Sequence, residues 1–207
     1  MPAKKVQTST GKTKKKSGLS AILAAVAAIA VAAVIALAPR YFEVAPQDSA
    51  VIGGPFQLVD QNGHVVSDSD FRGKLMLIYF GYTYCPDVCP TALGQVAQAM
   101  DMLSQKEQEQ VVPIFITVDP ERDTVEQVAP YVAAFHPALI GLTGTPDAIT
   151  KVSKEFKVYA KKNGSGQNYT VDHSSILYLM GRDGKYVSHF THASSAKDIA
   201  DGLRKAM

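Results

Sequence analysis

The two cysteines of the chain, Cys85 and Cys89, stand close together in the segment YFGYTYCPDVCPTAL at residues 79–93. Thiolates carry out disulfide exchange and also bind soft metal ions, so a close pair of cysteines has both chemistries open to it. Two intervening residues would indicate a thioredoxin-type redox pair, but here there are three. The spacing therefore leaves three uses open, namely thiol–disulfide exchange, a structural disulfide and metal binding.

A structural disulfide and a structural zinc site are the weaker of these uses. A disulfide between cysteines so near in sequence closes a short loop and stabilises little, because the gain grows with loop length. A zinc site needs a second pair of ligands, and the chain has no third cysteine, while His189 and His192 are separated by two residues rather than by about three to five. Two thiolates with one imidazole instead suit copper, because thiolates select Cu(I) and imidazole accommodates Cu(II).

A histidine for such a site has to come from elsewhere in the chain. His173 lies in VDHSSILYLM, directly before a predicted buried strand, with Asp172 and Ser174 as its neighbours. A loop histidine taken alone is more often a solvated side chain than a ligand, and His64 and His136 have the same ordinary interpretation. Residue types and spacing therefore do not identify which histidine would bind a metal together with the cysteines.

The cysteines follow a predicted strand and precede a predicted helix. The run KLMLIYF at 74–80 is continuously apolar, as expected for a strand buried on both faces, and apolar residues recur at helical spacing from Thr91 to Lys106. Sites in open α/β sheets are built at the carboxyl ends of strands, where this loop would lie. Because a helix N-terminus favours a thiolate, we expect both thiols to be more acidic than free cysteine.

The rest of the chain after residue 40 alternates predicted strands and helices. A second buried strand is predicted at 111–118, and 161–168 reads as an exposed loop because it is rich in Gly, Lys and Asn. The order of elements predicts an α/β protein with a mixed central sheet. The remaining elements are predicted as strands at 56–59, 64–66, 139–144, 175–180 and 185–190, and as helices at about 125–135, 149–156 and 196–205.

The first forty residues differ in composition from the rest. Residues 19–38 carry no charge, and as a helix rising about 1.5 Å per residue they would cross a hydrocarbon layer of about 30 Å. Signal-peptide apolar regions are shorter, and Pro39 would directly follow the cut, so we expect an uncleaved transmembrane anchor. We predict a basic cytoplasmic tail at 1–18, the anchor at 19–38, a linker at 39–54 and one domain at 55–207.

The distribution of charge predicts the orientation of this anchor. Six lysines precede the apolar segment, and positive charge stays on the cytoplasmic side of a membrane. The domain is therefore expected in the periplasm, or in the intermembrane space of a mitochondrion, as part of a single-pass inner-membrane protein. The residues after 40 carry 14 basic and 19 acidic side chains, a net charge of −5. Such a surface argues against nucleic acid as a partner.

Three segments in order, YFGYTYCPDVCPTAL, FITVDPERDT and VDHSSILYLM, resemble the Sco/SenC family of membrane-anchored, thioredoxin-fold copper proteins that assist assembly of the Cu(A) centre of cytochrome c oxidase. The resemblance extends over residues 50–206 and implies a thioredoxin-like fold. It implies that Cys85, Cys89 and His173 bind copper as Cu(I) or Cu(II). Asp87, between the cysteines, and Asp119, after the second buried strand, are candidates for ordering the site from its surroundings.

The resemblance implies a copper metallochaperone that delivers copper to, or prepares, the Cu(A) site. Its partners would be the oxidase subunit that carries Cu(A), the membrane, and a thioredoxin-like reductant, since a disulfide has no thiolates to offer. One alternative is a thiol–disulfide reductase, an enzyme with Cys85 as the attacking thiol. Another is a redox or copper sensor. The absence of proline between 147 and 207 counts against a general disulfide oxidoreductase, whose fold usually has a cis-proline there.

Overall fold

The computed structural model describes residues 51–166 and 168–207. The predicted basic tail, transmembrane anchor and most of the linker lie outside these residues. Within the described part of the chain, no helix has the length and apolar character that crossing a membrane requires.

A seven-stranded sheet forms the centre of the domain. Its strands are β1 (Gln57–Asp60), β2 (Val65–Ser67), β3 (Leu75–Gly81), β4 (Val111–Thr117), β5 (Ile140–Thr143), β8 (Ile176–Met180) and β9 (Tyr186–Thr191). They lie in the order β2-β1-β5-β4-β3-β8-β9. The central strands β3, β4 and β5 are parallel to one another, and β1, β2, β8 and β9 join them in antiparallel pairs. This arrangement confirms the predicted mixed α/β sheet.

Helices cover both faces of this sheet. They are α1 (Val88–Asp101), α2 (Gln105–Gln108), α3 (Val125–Ala133), α4 (Pro146–Glu155) and α5 (Ala196–Ala206), and a 3-10 helix spans Asp68–Phe71. The helix predicted from Thr91 to Lys106 begins three residues earlier and ends at Asp101, before the separate short α2. As a consequence, Cys89 lies in the first turn of α1 rather than in the loop before it.

Strand β3 is apolar throughout because both of its faces are covered. All seven of its residues are buried. Leu77 and Tyr79 belong to the core cluster on the side of α1 and α5, whereas Ile78 and Phe80 belong to the cluster on the side of α4. Successive side chains of a strand point to opposite faces, so a strand between two cores needs apolar residues at every position.

A second, two-stranded sheet consists of β6 (Ala160–Asn163) and β7 (Thr170–His173). Part of it was predicted as an exposed loop, and its residues are indeed mostly exposed. The strands went unnoticed because AKKN and TVDH contain few of the apolar residues by which strands are recognised. The register pairs Ala160 with His173, so this hairpin sets the position of the histidine.

Candidate metal centre

The loop that carries the cysteines begins where β3 ends and is anchored by Asp123. The Asp123 carboxylate accepts hydrogen bonds from the Thr83 backbone N–H at 2.9 Å, the Thr83 hydroxyl at 2.6 Å and the Thr117 hydroxyl at 2.6 Å. Asp123 is completely buried, and burial raises its pKa. These bonds tie the start of the cysteine loop to the end of the neighbouring strand β4.

Cys89 enters the core beside Gly81, the last residue of β3. Its side chain is completely buried, whereas Cys85 is partly exposed. A Cβ atom on Gly81 would lie only 2.9 Å from the Cys89 sulfur, so a residue without a side chain is needed for the sulfur to lie here. The Cys89 N–H donates to the Cys85 sulfur over 3.4 Å, which brings the two cysteines together at the helix N-terminus.

His173 approaches the same point from the end of β7. Its Nε2 atom lies 3.3 Å from the Cys89 sulfur, and its Nδ1 atom lies 3.2 Å from the carbonyl oxygen of Ser174. Because a carbonyl oxygen only accepts, Nδ1 carries the proton in this contact and the Nε2 lone pair faces the sulfur. Burial lowers the pKa of His173, which favours the neutral ring that a metal requires.

The sulfurs of Cys85 and Cys89 and a ring nitrogen of His173 lie within 4.8 Å of one another. Among the described residues, this is the one group of three or more His, Cys, Asp or Glu side chains placed to share a metal ion. Bonds of about 2.0–2.3 Å from one ion to its ligands fit such a cluster after a small closing movement. Two sulfurs and one imidazole nitrogen form a soft donor set, of the kind that suits copper.

The expectation that both thiols are unusually acidic is wrong for Cys89. Burial raises the pKa of the Cys89 thiol far above its ordinary value. The helix N-terminus does stabilise a thiolate, but the Cys89 side chain points into the core, and the desolvation cost of a charged sulfur there is the larger effect. In the metal-free protein the Cys89 thiol therefore keeps its proton at neutral pH.

The segment after β4 also holds the hairpin that carries His173. The Asp119 carboxylate accepts hydrogen bonds from Arg122 Nε at 2.6 Å and from the Tyr169 hydroxyl at 2.5 Å. Arg122 Nη1 donates to the Tyr169 carbonyl at 3.0 Å, and the guanidinium carbon lies 3.5 Å from the centre of the Tyr169 ring. Since Asp123 anchors the cysteine loop, the five residues 119–123 position both halves of the site.

The two aspartates considered from sequence alone have different surroundings. Asp87 is exposed at the start of α1, where its carboxylate accepts a hydrogen bond from the Thr91 hydroxyl at 3.5 Å. Asp119 is buried and acts on the site through the hairpin rather than by touching the three clustered side chains. Asp123 was not singled out, although it stands in the same DPERDT segment; its burial and its three hydrogen bonds depend on the fold.

The other histidines lie elsewhere. His136 Nε2 is 3.6 Å from Asp101, His64 is exposed beside Asp60, and His189 Nδ1 is 2.6 Å from the Tyr186 hydroxyl. None of them belongs to the cluster formed by the two cysteines and His173.

The mixed sheet and the Cys–Cys–His cluster at its edge define the class as thioredoxin-like proteins with a site for a soft metal. The SCO1/SenC family matches residues 44–207, and the chain belongs to this family. The SCO2-like protein RT0576 of Rickettsia typhi is 47% identical over 161 residues, which are 76% of this chain and 79% of that protein.

Solved structures of relatives show the same fold. The copper-bound structure of Bradyrhizobium japonicum ScoI is 46% identical, covers 75% of this chain and 99% of that one, and gives a TM-score of 0.71. BsSco, in which a disulfide switch has been identified, is a member of the Sco family of cytochrome c oxidase assembly proteins; it is 26% identical over 75% of this chain and 94% of its own, with a TM-score of 0.62.

Proposed function

We propose that this protein is a copper metallochaperone that delivers copper to, or prepares, the Cu(A) site of cytochrome c oxidase. The observation that carries the proposal is the convergence of Cys85, Cys89 and His173 from two distant parts of the chain. The copper found in the related ScoI structure and the assembly role given for BsSco support it. Copper is the cargo, held by two thiolates and the Nε2 atom of His173.

The three proposed ligands differ in exposure to solvent, and this difference suits the transfer of copper to a recipient protein. Cys89 is completely buried and Cys85 is partly exposed. Cys85 is therefore the ligand that a thiol of the recipient can replace first, while Cys89 and His173 keep their hold on the ion. Ligand exchange that proceeds one thiol at a time avoids releasing free copper.

Some of the exposed apolar side chains are close in sequence or by backbone pairing to the proposed ligands, and these suit a docking partner. Seven large hydrophobic residues are exposed in the described part of the chain, and three of them have this relation to the site. Tyr84 and Val88 each neighbour one of the cysteines, and the backbone of Tyr159 accepts a hydrogen bond from the N–H of Ser174. Exposed apolar side chains clustered around a reactive centre are typical of protein interaction sites.

We further propose that the apolar segment at 19–38 anchors the domain in the inner membrane, facing the periplasm or the intermembrane space. The composition of this segment and the lysines before it support that location. An anchor in the membrane of the oxidase would raise the effective concentration of the domain near its target. Copper loading there depends on keeping the cysteines reduced, a task suited to a thioredoxin-like reductant.

A second candidate function is reduction of the oxidase subunit's cysteines before the metal arrives. The closeness of the two free thiols and the disulfide switch of the relative BsSco favour it. In this case Cys85, the more exposed sulfur, is the attacking thiol and Cys89 resolves the mixed disulfide. This activity would require neither copper nor His173.

An optical titration of the reduced protein with Cu(II) tests the proposal. We expect a thiolate-to-copper charge-transfer band that is lost in Cys85→Ser and Cys89→Ser and is lost or strongly changed in His173→Ala. His64→Ala is the matched control, because that histidine is exposed and outside the cluster. Absence of a band in the parent protein, together with intact disulfide exchange, would favour the reductase instead.

A further inference from the structure

The buried hydroxyl group of Tyr79 forms no hydrogen bond of good geometry among the described residues, although the side chains of Cys89 and Ser175 lie near it. Tyr79 is only 1% exposed and lies on β3, two residues before Gly81. Burying a hydroxyl without a partner is costly, and such groups in folded proteins call for a physical explanation. Phenylalanine would fill the same apolar space without this cost, so the hydroxyl is expected to serve another state of the protein.

Tyr79 and Cys89 belong to the same buried core cluster. Burial raises the pKa of the Tyr79 hydroxyl, and the nearby sulfur of Cys89 raises it further. The Tyr79 ring stands edge-on to His173, with 6.2 Å between the ring centres and an angle of 81° between the planes. A Cβ atom on Gly81 would lie 3.0 Å from the Tyr79 ring and 2.9 Å from the Cys89 sulfur, so the ring and the sulfur flank the same glycine.

On another side, Tyr79 borders a small cavity with room for about one water molecule. Polar side chains line much of this cavity, among them Gln95, Ser175 and His192. Tyr79 therefore lies between the sulfur of Cys89 and a small cavity that has several polar side chains in its wall. A hydroxyl proton rotates freely about its C–O bond and turns toward whichever acceptor is stronger.

The strength of the sulfur as an acceptor changes with its state. In the structure the Cys89 sulfur is paired with His173 Nε2 at 3.3 Å, and an uncharged sulfur is only a weak acceptor. A metal ion held by these residues would take the Nε2 lone pair and would have the sulfur as a thiolate ligand. A negatively charged sulfur forms a much stronger hydrogen bond than a thiol does.

We propose that the Tyr79 hydroxyl donates a hydrogen bond to the Cys89 sulfur in the metal-bound protein, and that this bond orients the sulfur and moderates its donation to the metal. The inference rests on the proposed copper site and adds a positioning residue to it. Hydrogen bonds to metal-bound sulfur are a general means by which proteins tune such sites. Tyr79 contacts the ligand and does not bind the metal.

The test compares Tyr79→Phe with the parent in the purified 207-residue chain, reduced and loaded with Cu(II). Without the hydrogen bond the sulfur is the stronger donor, so the sulfur-to-copper charge-transfer band moves to longer wavelength. In the parent, transfer to D2O shifts the copper–sulfur stretching frequency in the resonance Raman spectrum. In Tyr79→Phe this isotope shift is lost or much reduced.

Tyr131→Phe is the matched control. Tyr131 also has a buried hydroxyl without a hydrogen bond of good geometry among the described residues, and its ring packs on Phe115 and Phe135. Burial and the charges of the two cysteines raise its pKa, but, unlike Tyr79, it has no side-chain hydrogen-bonding contact with Cys89. Its removal is expected to leave the band and the isotope shift as in the parent. Thermal unfolding of the metal-free variants serves as a second readout, because a tyrosine of merely structural importance would change the midpoint without changing the spectrum.

Three outcomes would contradict either the role of Tyr79 or the proposed copper site, and they can be told apart. A band and isotope shift in Tyr79→Phe identical to those of the parent refute the role of Tyr79 and leave the copper site standing. A spectral change of the same size in Tyr131→Phe refutes the specific contact with Cys89. The absence of a charge-transfer band in the parent refutes the proposed function itself.

Discussion

The substitution Gly81→Ala tests whether the close approach of β3 to Cys89 holds the site together. The added Cβ atom would lie 2.9 Å from the Cys89 sulfur and 3.0 Å from atoms of Phe115 and Tyr79. Ordinary contacts begin at 3.4 Å, so the sulfur or the strand must shift by about 0.5 Å, the difference between 3.4 and 2.9 Å. None of these three neighbours is more than 1% exposed, so a shift of any of them disturbs the packed core.

Overpacking of this kind lowers the free energy of unfolding by about 1–3 kcal/mol. Alanine also restricts the backbone of the unfolded chain more than glycine does, and this raises the free energy of unfolding by about 0.4–1 kcal/mol. We therefore expect Gly81→Ala to lower the free energy of unfolding by about 1–2 kcal/mol. A displacement of about 0.5 Å also reaches the tolerance of a metal site, so copper affinity should fall roughly tenfold. Tyr79 and Cys89 would both be affected, because they flank the glycine.

The assay is urea unfolding of the reduced, metal-free domain from residue 51 onward, followed by a competition titration with Cu(I). The domain is expected to fold alone, since it corresponds to 99% of the solved ScoI chain of B. japonicum. Gly94→Ala is the control, because Gly94 lies within α1 with nothing within 4 Å of the added Cβ atom. At this position alanine should raise the free energy of unfolding by about 0.5–1 kcal/mol. If Gly81→Ala matches Gly94→Ala in stability and affinity, the close-packing argument is wrong.

Three further predictions follow from the contacts around the site. Asp123→Ala leaves three buried or partly buried donors without their acceptor and should lower the free energy of unfolding by about 2–4 kcal/mol in urea; a loss below 0.5 kcal/mol, roughly the effect of a surface change, would contradict the anchoring role. Arg122→Ala leaves the Asp119 carboxylate buried without its ion pair and should cost about 3–5 kcal/mol, and adding Asp119→Asn should restore part of this loss. Oxidation of Cys85 and Cys89 to a disulfide removes both thiolates, so added Cu(II) should give no charge-transfer band until a reductant is supplied; a band of full intensity in the oxidised protein would show that the sulfurs are not ligands.

Sequence patterns predicted the central part of the fold well because the physical signal there is strong. A strand buried on both faces must be apolar at every position, so β3 and β4 were visible as continuous runs. The position of the cysteine loop followed, since it comes directly after β3. The hairpin of β6 and β7 was missed because its strands are exposed and polar, and exposed strands have no apolar alternation to reveal them.

The chemistry of the site was only partly predictable. The acidity expected for Cys89 was argued from the helix N-terminus, but the direction in which the side chain points decides whether desolvation outweighs the dipole. Asp123 and Tyr79 were not singled out, because a buried carboxylate that holds a loop and a buried hydroxyl beside a sulfur look ordinary in a sequence. Their importance depends on contacts with residues such as Thr83, which is 40 positions from Asp123.

The sequence by itself determined which atoms are available, namely two thiols four positions apart at the end of a buried strand and a small number of histidines. The choice of His173 depended on resemblance to a family, because nothing local relates residues 84 positions apart. Tertiary structure decided that His173 Nε2 meets the Cys89 sulfur, since the hairpin that carries the histidine and the loop that carries the cysteines are both fastened to the segment after β4. A metal site needs its ligand atoms within a few ångströms of one another, and only packing of the whole chain sets such distances.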